Sequence, residues 1–368
     1  MYHRVGYERL LSRTQEILEK IGYPAHKANI TAWVLAEADA RGVPSHGVTR
    51  VKVYRNEMEQ GHVNPEAEPE IVHETPVSIV VDGHYGVGAH IADFTMRRVI
   101  EKTREHGTCY ASVRNSNHFG MAGLWAEMAV KEGFGGSAFT NTIRCAVPTL
   151  GCERLLGTNP IAFGLPSDEE LPFLLDMATT TAPRGKLGVY KRRNRPLPEG
   201  WFVGENGEPV TDPAEATSIL ADPTGTHGGL VFLGGTTEIM GGHKGYGLAL
   251  FVDMLCGPLA HGPWTRDVFQ TQDANVGHFF SAFRLDLFGD EGDVRRRVGD
   301  VLRALRASSP GEPAGRVLTH GEKEALRRAT ALKDGVVLDE TTYEMMEEYA
   351  KEFGLGPLPA IECEETEK

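Results

Sequence analysis

Several signatures of common enzyme classes are missing from this chain of 368 residues. It has no GxGxxG fingerprint, no Walker A loop and no H-E-x-x-H motif, which argues against a standard Rossmann site, a P-loop site and a zincin-type metal centre. Its five cysteines are scattered and without a CxxC pair, which is typical of free thiols and favours a cytoplasmic protein. No stretch approaches the roughly 18 apolar residues of a membrane span, and no N-terminal run has the form of a signal peptide. We therefore expect no membrane partner.

The chain also has fewer positively charged residues than negatively charged ones. The chain has 38 Lys and Arg residues against 51 Asp and Glu residues, which gives a formal net charge of -13 at pH 7. This balance argues against a nucleic acid or an anionic membrane as partner. It does not exclude a small anionic substrate, because a local cationic pocket decides that binding. Hydrophobic residues make up 40% of the chain, which is enough for a packed core, and the length fits two domains or one large one.

The most informative motif that is present is NSNHFG at 115–120. A strand-like apolar run precedes it at 109–113 and apolar residues at helical spacing follow it, so His118 is predicted at a strand-to-helix junction. Asparagine and serine cap helix starts, and the positive end of a helix dipole disfavours an imidazolium. A histidine that stays neutral near pH 7 is suited to take a proton from an alcohol. The alternative is a histidine that only caps or packs.

A second motif, SHGVTRVKVY at 45–54, places His46, Arg50 and Tyr54 four residues apart. If this stretch is one helix, the three side chains share a face. Such a face buries little apolar area but suits a small anion, because a guanidinium offers paired donors to a carboxylate. The alternative is a solvated face on which Arg50 pairs with Glu57.

A third motif, GGHKGYG at 241–247, stands just before an apolar run of helical type. Its glycines allow the backbone to approach a ligand closely, and Lys244 near the helix start suits a phosphate or a carboxylate. The alternative is a plain turn.

Eight motifs follow one another along most of the chain: ARGVPSHG (40–47), NSNHFG (115–120), TNT (140–142), GTNPIAFG (157–164), DMATT (176–180), RGK (184–186), HKGYGL (243–248) and PGEP (310–313). In content and order they resemble the type-2 malate/L-lactate dehydrogenase family. This family comprises NAD(P)-dependent oxidoreductases that are unrelated to ordinary malate and lactate dehydrogenases. Agreement at one motif can arise by chance, but agreement at all of them cannot.

The resemblance implies a role for each matched position. His118 is the expected general acid/base, and His46 is its rival. The positions expected around the substrate are Ser45, Arg50 and Tyr54, with Arg50 holding the substrate carboxylate. For Asp176, the expected role is to accept a bond from a ribose hydroxyl, and the alternative is a strand-end cap. No metal ligand is expected, and the positions expected to bind NAD or NADP are Thr142, Asp176, Met177, Ala178, Lys244, Gly311 and Glu312.

The implied reaction is hydride transfer between NAD(P) and a small anionic 2-hydroxy or 2-keto acid, first of all malate/oxaloacetate or L-lactate/pyruvate. His118 would take the hydroxyl proton while the C2 hydride passes to the nicotinamide. Family members also act on diketogulonate, ureidoglycolate, sulfolactate or cyclic imino acids. Two other classes stay open from the residues alone. One is a pyridoxal-phosphate enzyme with Lys244 as the Schiff base, and the other is a noncatalytic ligand-binding module or a metal hydrolase.

Residue spacing alone favours an α/β sheet with parallel crossovers. The resemblance implies instead a non-Rossmann, three-layer mixed sheet of about seven strands, plus an α-helical domain built from both chain termini. It also implies a homodimer with active-site residues near the subunit interface. We therefore expect three segments: residues 1–75 as one part of the helical domain, 76–288 as the mixed-sheet cofactor-binding domain, and 289–368 as the other helical part.

Local periodicity predicts the elements within these segments. The region up to about residue 64 is expected to be helical and to be followed by a linker. Residues 184–228 are expected to form an extended loop with a short helix around 214–220. The predicted strands are 78–82, 109–113, 136–141, 160–165, 172–177, 229–233 and 278–287, and the later predicted helices are 291–307, 320–332 and 340–353.

Overall fold

A computed structural model describes residues 1–192, 194–270, 274–312 and 315–363 of the chain. Its strands are β1 (Tyr2–Val5), β2 (Glu70–Thr75), β3 (Ser78–Asp82), β4 (Thr108–Ser116), β5 (Gly135–Thr140), β6 (Ile161–Leu165), β7 (Phe173–Met177), β8 (Phe202–Val203), β9 (Gly229–Leu230), β10 (Val276–Phe283), β11 (Val336–Asp339) and β12 (Ile361–Cys363). Its α-helices are α1 (Tyr7–Lys20), α2 (Ala25–Ala40), α3 (Val51–Glu59), α4 (Gly88–His106), α5 (Ala122–Lys131), α6 (Arg184–Arg192), α7 (Pro213–Ala221), α8 (Gly242–Cys256), α9 (Glu291–Arg306), α10 (Glu322–Asp334) and α11 (Glu340–Glu352). Within these described ranges, no helix is both long enough and apolar enough to cross a membrane.

Seven strands form one mixed sheet in the order β2-β3-β4-β10-β5-β6-β7. The β3–β4 pair is parallel, and the five other neighbouring pairs are antiparallel. Strand β10 arrives from late in the chain and lies between β4 and β5. The mixed sheet implied by the resemblance is confirmed. Of the parallel crossovers favoured by spacing, the sheet contains one, from β3 through α4 to β4, because hydrophobic spacing carries no information on strand order or direction.

Helices cover both faces of this sheet. On one face, Met96 of α4 and Trp125 of α5 share a buried core with Phe280 of β10. On the other face, Val252 of α8 shares a core with Phe279, the neighbour of Phe280 in the same strand. Successive side chains of a strand point to opposite faces, so β10 contributes to both cores. The result is the expected three-layer arrangement.

The two chain ends meet in a second core that holds Leu10 of α1, Leu35 of α2 and Met346 of α11. The resemblance implied a helical domain here. The region also contains a small antiparallel sheet, which β11, β1 and β12 form. Each of these strands has only three or four residues. Strands this short carry no readable alternation, and their partners come from opposite ends of the sequence.

Helix α9 contacts the large sheet region. Arg303 of α9 pairs with Asp168 and Glu169 in the loop between β6 and β7, and the backbone N–H of Asp168 donates to the carbonyl of Arg295. The division of the chain into 1–75, 76–288 and 289–368 stays a prediction.

Four local predictions differ from the structure. Strand β2 lies within the predicted linker, and α6 lies within the predicted loop at 184–228, in which only α7 was expected. The strand predicted at 229–233 is reduced to the two residues of β9, which pair with β8. The strand predicted at 278–287 begins earlier, at Val276, and ends at Phe283.

Candidate active site

His118 lies in the segment that joins β4 to α5. The predicted helix cap is wrong, because α5 begins at Ala122 and has Met121 as its N-cap, without a side-chain capping bond. Asn115 instead adopts a left-handed backbone conformation with φ of 52°. Its side-chain amide donates to a carboxylate oxygen of Asp82 at 2.9 Å. The polar residues before His118 therefore fix the turn rather than start a helix.

Asn117 anchors this turn to the N-terminal end of α4. Its amide nitrogen donates to the carbonyl oxygens of Tyr85 at 3.0 Å and Gly86 at 2.9 Å. Asn117 is 2% exposed, and its Oδ1 atom has no hydrogen-bond partner. One buried acceptor beside His118 is thus left for a ligand or a water molecule.

His278 of β10 contacts the strand that leads into this turn, and the sequence did not reveal it. Its Nδ1 lies 2.8 Å from the Thr140 hydroxyl and its Nε2 lies 2.8 Å from the Ser116 hydroxyl. Its ring stacks on Phe119 with 4.3 Å between centroids. Burial lowers the pKa of His278 to about 3, so the ring is neutral. Its partners are more than a hundred positions distant in the chain, and no spacing rule signals such a contact.

The segment that carries His46, Arg50 and Tyr54 was predicted to be one helix, and this prediction is wrong. It comprises two 3-10 turns, Pro44–His46 and Val48–Arg50, followed by α3. Asp39 of α2 sets the kink between the turns, because its Oδ2 accepts the backbone N–H of Val48 at 2.7 Å. A Cβ atom on Gly47 would lie 1.9 Å from Asp39 Oδ1, so only glycine fits this close approach.

The predicted substrate-side residues nevertheless converge on His118. The Tyr54 hydroxyl lies 2.7 Å from His118 Nδ1, and Arg50 Nη2 lies 3.3 Å from His118 Nε2. The ring of His46 stacks on that of His118 at 5.5 Å between centroids. Ser45 completes the group, because its hydroxyl lies 3.0 Å from His46 Nδ1 and its carbonyl accepts Arg50 Nε at 3.0 Å. We call these five residues the histidine cluster.

The histidine cluster keeps its imidazoles uncharged. Burial, followed by the cation of Arg50, holds the pKa of His118 well below its usual range, and His46 and His278 add to the effect. Burial and Arg50 also lower the pKa of His46 to about 3. The neutral histidine expected from the sequence is therefore present. Its cause is burial beside a guanidinium rather than the helix dipole.

The contacts of His118 identify its tautomer. A guanidinium only donates hydrogen bonds, so the nitrogen facing Arg50, Nε2, is the one without a proton. Nδ1 then carries the proton and donates to the Tyr54 hydroxyl oxygen. The backbone N–H of Gly120 also points at Nδ1, at 3.3 Å, which favours the opposite tautomer. We assign the Nδ1–H form, because an N–H opposed to a full cation costs more than one opposed to an amide dipole.

The cofactor-side positions are connected mainly through backbone groups. The hydroxyl of Thr142 accepts the N–H of Thr158 at 3.0 Å. The carbonyl of Thr158 in turn accepts the N–H of Thr179 at 2.9 Å. Thr142 is thereby linked to the end of β7, where Met177 and Ala178 are half-buried.

Asp176 serves as a cap in this structure. Its Oδ2 accepts the backbone N–H of Gly123, in the first turn of α5, at 2.7 Å. Burial raises the pKa of Asp176 to about 6. Asp176 lies near the end of β7 but caps a helix, so the contact differs from the strand-end cap given as the alternative, and its cofactor role stays a prediction. Its second carboxylate oxygen retains capacity to accept a bond from a hydroxyl group.

Lys244 is exposed in the first turn of α8. The glycines beside it permit tight backbone packing, since a Cβ atom on Gly242 would lie 2.1 Å from the carbonyl oxygen of Gly235. Gly311 and Glu312 are exposed in the segment after α9, and within the described residues no hydrogen bond or ion pair connects them to the other positions. Pro313, the last residue of the PGEP motif, lies outside the described residues.

The chemistry of the cofactor-side positions fits a dinucleotide. An exposed ammonium at a helix N-terminus suits a phosphate. A hydroxyl at Thr142 and a carboxylate at Asp176 suit ribose hydroxyl groups.

A separate group of potential metal ligands comprises His26, Glu68 and His90, whose ligand atoms all lie within 4.8 Å of one another. The buried ammonium of Lys27 already lies 2.7 Å from Glu68 Oε1, and His90 Nε2 lies 2.7 Å from Glu68 Oε2. A divalent cation here would face Lys27 at close range. We interpret the group as an ion-pair network that anchors the segment before β2.

Comparisons with known proteins match this chain over nearly its whole length. A family model described as malate/L-lactate dehydrogenase matches residues 5–347. The chain is similar to malate dehydrogenase of Pyrococcus horikoshii, with 38% identity over 97% of this chain and 97% of that protein. It is also similar to L-sulfolactate dehydrogenase of Methanocaldococcus jannaschii, with 34% identity over 93% of this chain and 94% of that protein. The crystal structure of malate dehydrogenase from Entamoeba histolytica superposes with a TM-score of 0.93 and 33% identity, covering 98% of this chain and 100% of that chain.

Proposed function

The chain belongs to the malate/L-lactate dehydrogenase family, and on that premise we propose that the histidine cluster is its catalytic centre, with His118 as the general acid/base. The protein is a dehydrogenase that transfers a hydride between a nicotinamide cofactor and a small 2-hydroxy acid. The observation that carries the proposal is the contact of a neutral His118 with both Arg50 and Tyr54. Family membership also removes the pyridoxal-phosphate, noncatalytic and metal-hydrolase alternatives.

Arg50 binds the substrate carboxylate in this proposal. Its Nε is held by the carbonyl of Ser45, so the guanidinium is oriented before the substrate arrives. The carboxylate pairs with this oriented guanidinium, and the substrate hydroxyl then lies at the unprotonated Nε2 of His118. In hydroxy-acid oxidation Nε2 accepts the hydroxyl proton, and in keto-acid reduction it returns the proton to the carbonyl oxygen. His46 stacks on His118 and is assigned a supporting role.

Thr142, Asp176, Met177, Ala178 and Lys244 are proposed to hold the cofactor, with Gly311 and Glu312 at its edge. The nicotinamide supplies the hydride chemistry when it is bound. Lys244 offers a cation to a phosphate, and Thr142 and Asp176 offer oxygen atoms to ribose hydroxyls. The cofactor is NAD or NADP, and both belong in the assay.

The proposed substrates are malate/oxaloacetate and L-lactate/pyruvate. The names of the similar proteins support this order, since the first similar relative and the similar crystal structure are malate dehydrogenases. Sulfolactate is the second candidate, because the relative from M. jannaschii is named for it. All of these acids offer a carboxylate to Arg50 next to the reacting carbon.

We further propose a cytoplasmic homodimer. The outer face of α8 exposes Leu248, Phe251 and Met254 by 40%, 49% and 47%. Monomers rarely leave such adjacent apolar side chains uncovered, and a second copy of the chain is the proposed cover. The cysteines within the described residues are free thiols, which suits a reducing compartment. Sedimentation equilibrium tests the dimer, and a monomer at assay concentrations would remove it.

The test of the proposed function is a spectrophotometric assay of NADH and NADPH oxidation against oxaloacetate, pyruvate and sulfopyruvate. Purified protein should oxidise one cofactor with at least one of these keto acids. A matched ketone without a carboxylate should be a poor substrate. Absence of turnover with every acid and both cofactors would contradict the proposal.

A further inference from the structure

A small cavity is lined in part by His118, and Arg50 is not among its lining residues. Its volume is about 10 Å³, and its polar lining comprises Tyr23, Thr31, Tyr54, Glu57, Asn117 and His118. This is about the room that one water molecule needs. The Tyr54 hydroxyl, which bonds His118 Nδ1, belongs to the same lining.

Two polar groups of the lining have no partner of their own. The Oδ1 atom of Asn117 is buried and without a hydrogen bond. The carboxylate of Glu57, on α3, accepts no hydrogen bond within the part of the chain that the structure describes. A buried acceptor such as Asn117 Oδ1 is normally satisfied by ordered water, and the Glu57 side chain next to it is half-buried. A water molecule in the cavity would find Asn117, Glu57 and the Tyr54 hydroxyl around it, which is the usual number of partners.

The charge of Glu57 is set by groups on several elements. Burial raises its pKa to about 7, and the guanidinium of Arg50 opposes that shift. The phenols of Tyr23 and Tyr54 also face it. Burial raises the pKa of Tyr54, so this phenol stays protonated and is able to accept one proton while it donates another.

We propose that Glu57 is the proton partner of His118, connected to it through the Tyr54 hydroxyl and one water molecule bound at Asn117 Oδ1. This inference rests on the proposed function and extends it from the acid/base to the route of its proton. Glu57, which the sequence analysis treated only as an ion-pair partner of Arg50, becomes a positioning residue. Tyr54 becomes the link to it rather than a substrate contact.

The proton count of this relay closes. In hydroxy-acid oxidation the substrate O–H bond breaks and His118 Nε2 gains that proton. Nδ1 gives its proton to the Tyr54 oxygen, the Tyr54 proton passes to the water, and a water proton passes to the Glu57 carboxylate. The C2 hydride leaves separately to the nicotinamide, so the relay carries no electrons. When Nε2 later releases its proton to solvent, the Glu57 proton returns to Nδ1 and restores the starting tautomer.

The sign of the pH dependence follows from the direction of transfer. Glu57 must be ionised to receive a proton, so kcat for hydroxy-acid oxidation should rise as pH increases through about 7. Conversely, kcat for keto-acid reduction should fall across the same range. The pKa of His118 lies well below this range and contributes no inflection there.

The test compares Glu57→Gln, Glu57→Asp and Tyr54→Phe with wild type in both reaction directions. Glu57→Gln should lower kcat for oxidation by roughly tenfold and flatten its pH profile near neutrality; this is less than the loss of a direct acid/base, because Glu57 acts through Tyr54. KM for the acid and cofactor affinity should not change. Glu57→Asp should recover part of kcat and the inflection. Tyr54→Phe should lose the same inflection, because it breaks the link at a ring of nearly equal shape.

The matched control is Glu59→Gln, an exposed carboxylate two residues further on the same helix that pairs with Arg55. It should keep the wild-type pH profile, and thermal melting should show that all variants fold. An active wild type whose neutral inflection survives in Glu57→Gln would overturn the relay alone. A Glu57→Gln variant that raises KM without lowering kcat would reduce Glu57 to a structural role. A wild type without activity on any 2-hydroxy acid would remove the proposed function and the relay together.

Discussion

The substrate side and the cofactor side of the site are assembled in different ways. In the histidine cluster, Arg50 and Tyr54 contact His118 through side chains, at 3.3 Å and 2.7 Å. On the cofactor side, Thr142 and Asp176 contact the backbone of neighbouring segments, and Lys244 is exposed. One side is a network of side chains in mutual contact, and the other consists of half-buried and exposed groups that do not contact one another through side chains.

This difference predicts that the substrate side determines mainly turnover and that the cofactor side determines mainly cofactor affinity. Tyr54 is buried and the four other groups of the histidine cluster are half-buried, so their charges are screened by solvent less than those of exposed groups. A preorganised group of this kind acts mainly on the transition state. The Lys244 ammonium is screened by solvent and contributes a modest binding term. Substitutions in the cluster should therefore change turnover, and substitutions at Lys244 should change cofactor binding by small factors.

The largest effect is expected at His118. His118→Ala should lower kcat by roughly a hundredfold or more, which is the range for loss of an acid/base, while the protein stays folded. His46→Ala, its matched control in the same stack, should lower kcat less. Steady-state assays of both variants decide between the two histidines. Abolished turnover in His46→Ala with retained turnover in His118→Ala would reverse their roles.

A smaller effect is expected for Arg50→Lys. A guanidinium holds a carboxylate through two parallel bonds, whereas an ammonium offers one point charge. Loss of that alignment should reduce kcat/KM for keto acids by roughly tenfold, the equivalent of about 1.4 kcal/mol. Cofactor affinity should stay constant, and wild type and variant should be equally poor on a ketone without a carboxylate. Weaker cofactor binding with normal keto-acid kinetics would contradict the carboxylate assignment.

The next effect concerns stability and not catalysis. It is expected at Asp39, whose carboxylate bonds Val48 between the two 3-10 turns. Burial raises its pKa to about 7 in the folded protein, whereas the unfolded chain titrates near its ordinary value of about 4. Between these values the folded state holds a proton that the unfolded state lacks, so this contribution to stability is lost as pH rises through about 7.

Asp39→Asn removes that ionisation and keeps an acceptor for Val48. Relative to wild type, its free energy of unfolding should improve by roughly 1 kcal/mol or more between about pH 5 and pH 8, as measured by urea denaturation. Asp334→Asn, which alters an exposed carboxylate at the end of α10, should show no such trend. An identical pH trend in both variants would contradict the claim that ionisation of Asp39 destabilises the folded protein.

The smallest effect is expected for Lys244→Ala. It should weaken nicotinamide binding by roughly threefold, the size of one exposed charge interaction, and the loss should shrink at high salt. Lys20→Ala, an exposed lysine on α1, is the control and should bind the cofactor normally. Fluorescence titration with NADH and NADPH measures both. Unchanged cofactor affinity together with an unchanged KM for the acid would remove Lys244 from the site.

Long elements with clear periodicity were predictable from the sequence. Strand β3 matches the prediction, and β4 to β7 differ from it by a few residues at their ends. Short strands were not predictable, because the four residues of β1 depend on partners from the other end of the chain. Motifs and resemblance singled out the residues that the structure brings together in the histidine cluster, although the predicted backbone of this segment was wrong. Two 3-10 turns replace one helix there because Asp39 captures Val48.

The supporting residues escaped prediction for a physical reason. His278 bonds side-chain hydroxyls that are distant in the chain, and Asp39 and Asn117 bond backbone groups of irregular segments. Such contacts leave no periodic trace in the sequence. The low pKa of His118 was predicted correctly, yet its cause was not, since burial and a neighbouring cation appear only when the chain is folded. The neutral state of His118 was thus predictable from the sequence, whereas the neighbouring groups that lower its pKa were not.

The most direct test of the central claim is a nitrogen-15 NMR titration of the histidine side chains, with the His118 signals identified by their loss in His118→Asn. The account predicts a neutral Nδ1–H tautomer at His118 from about pH 5 to pH 8, without the titration near 6.5 of an ordinary histidine. A His118 imidazole that protonates near pH 6.5, or one that carries its proton on Nε2, would contradict a preformed base held between Arg50 and Tyr54.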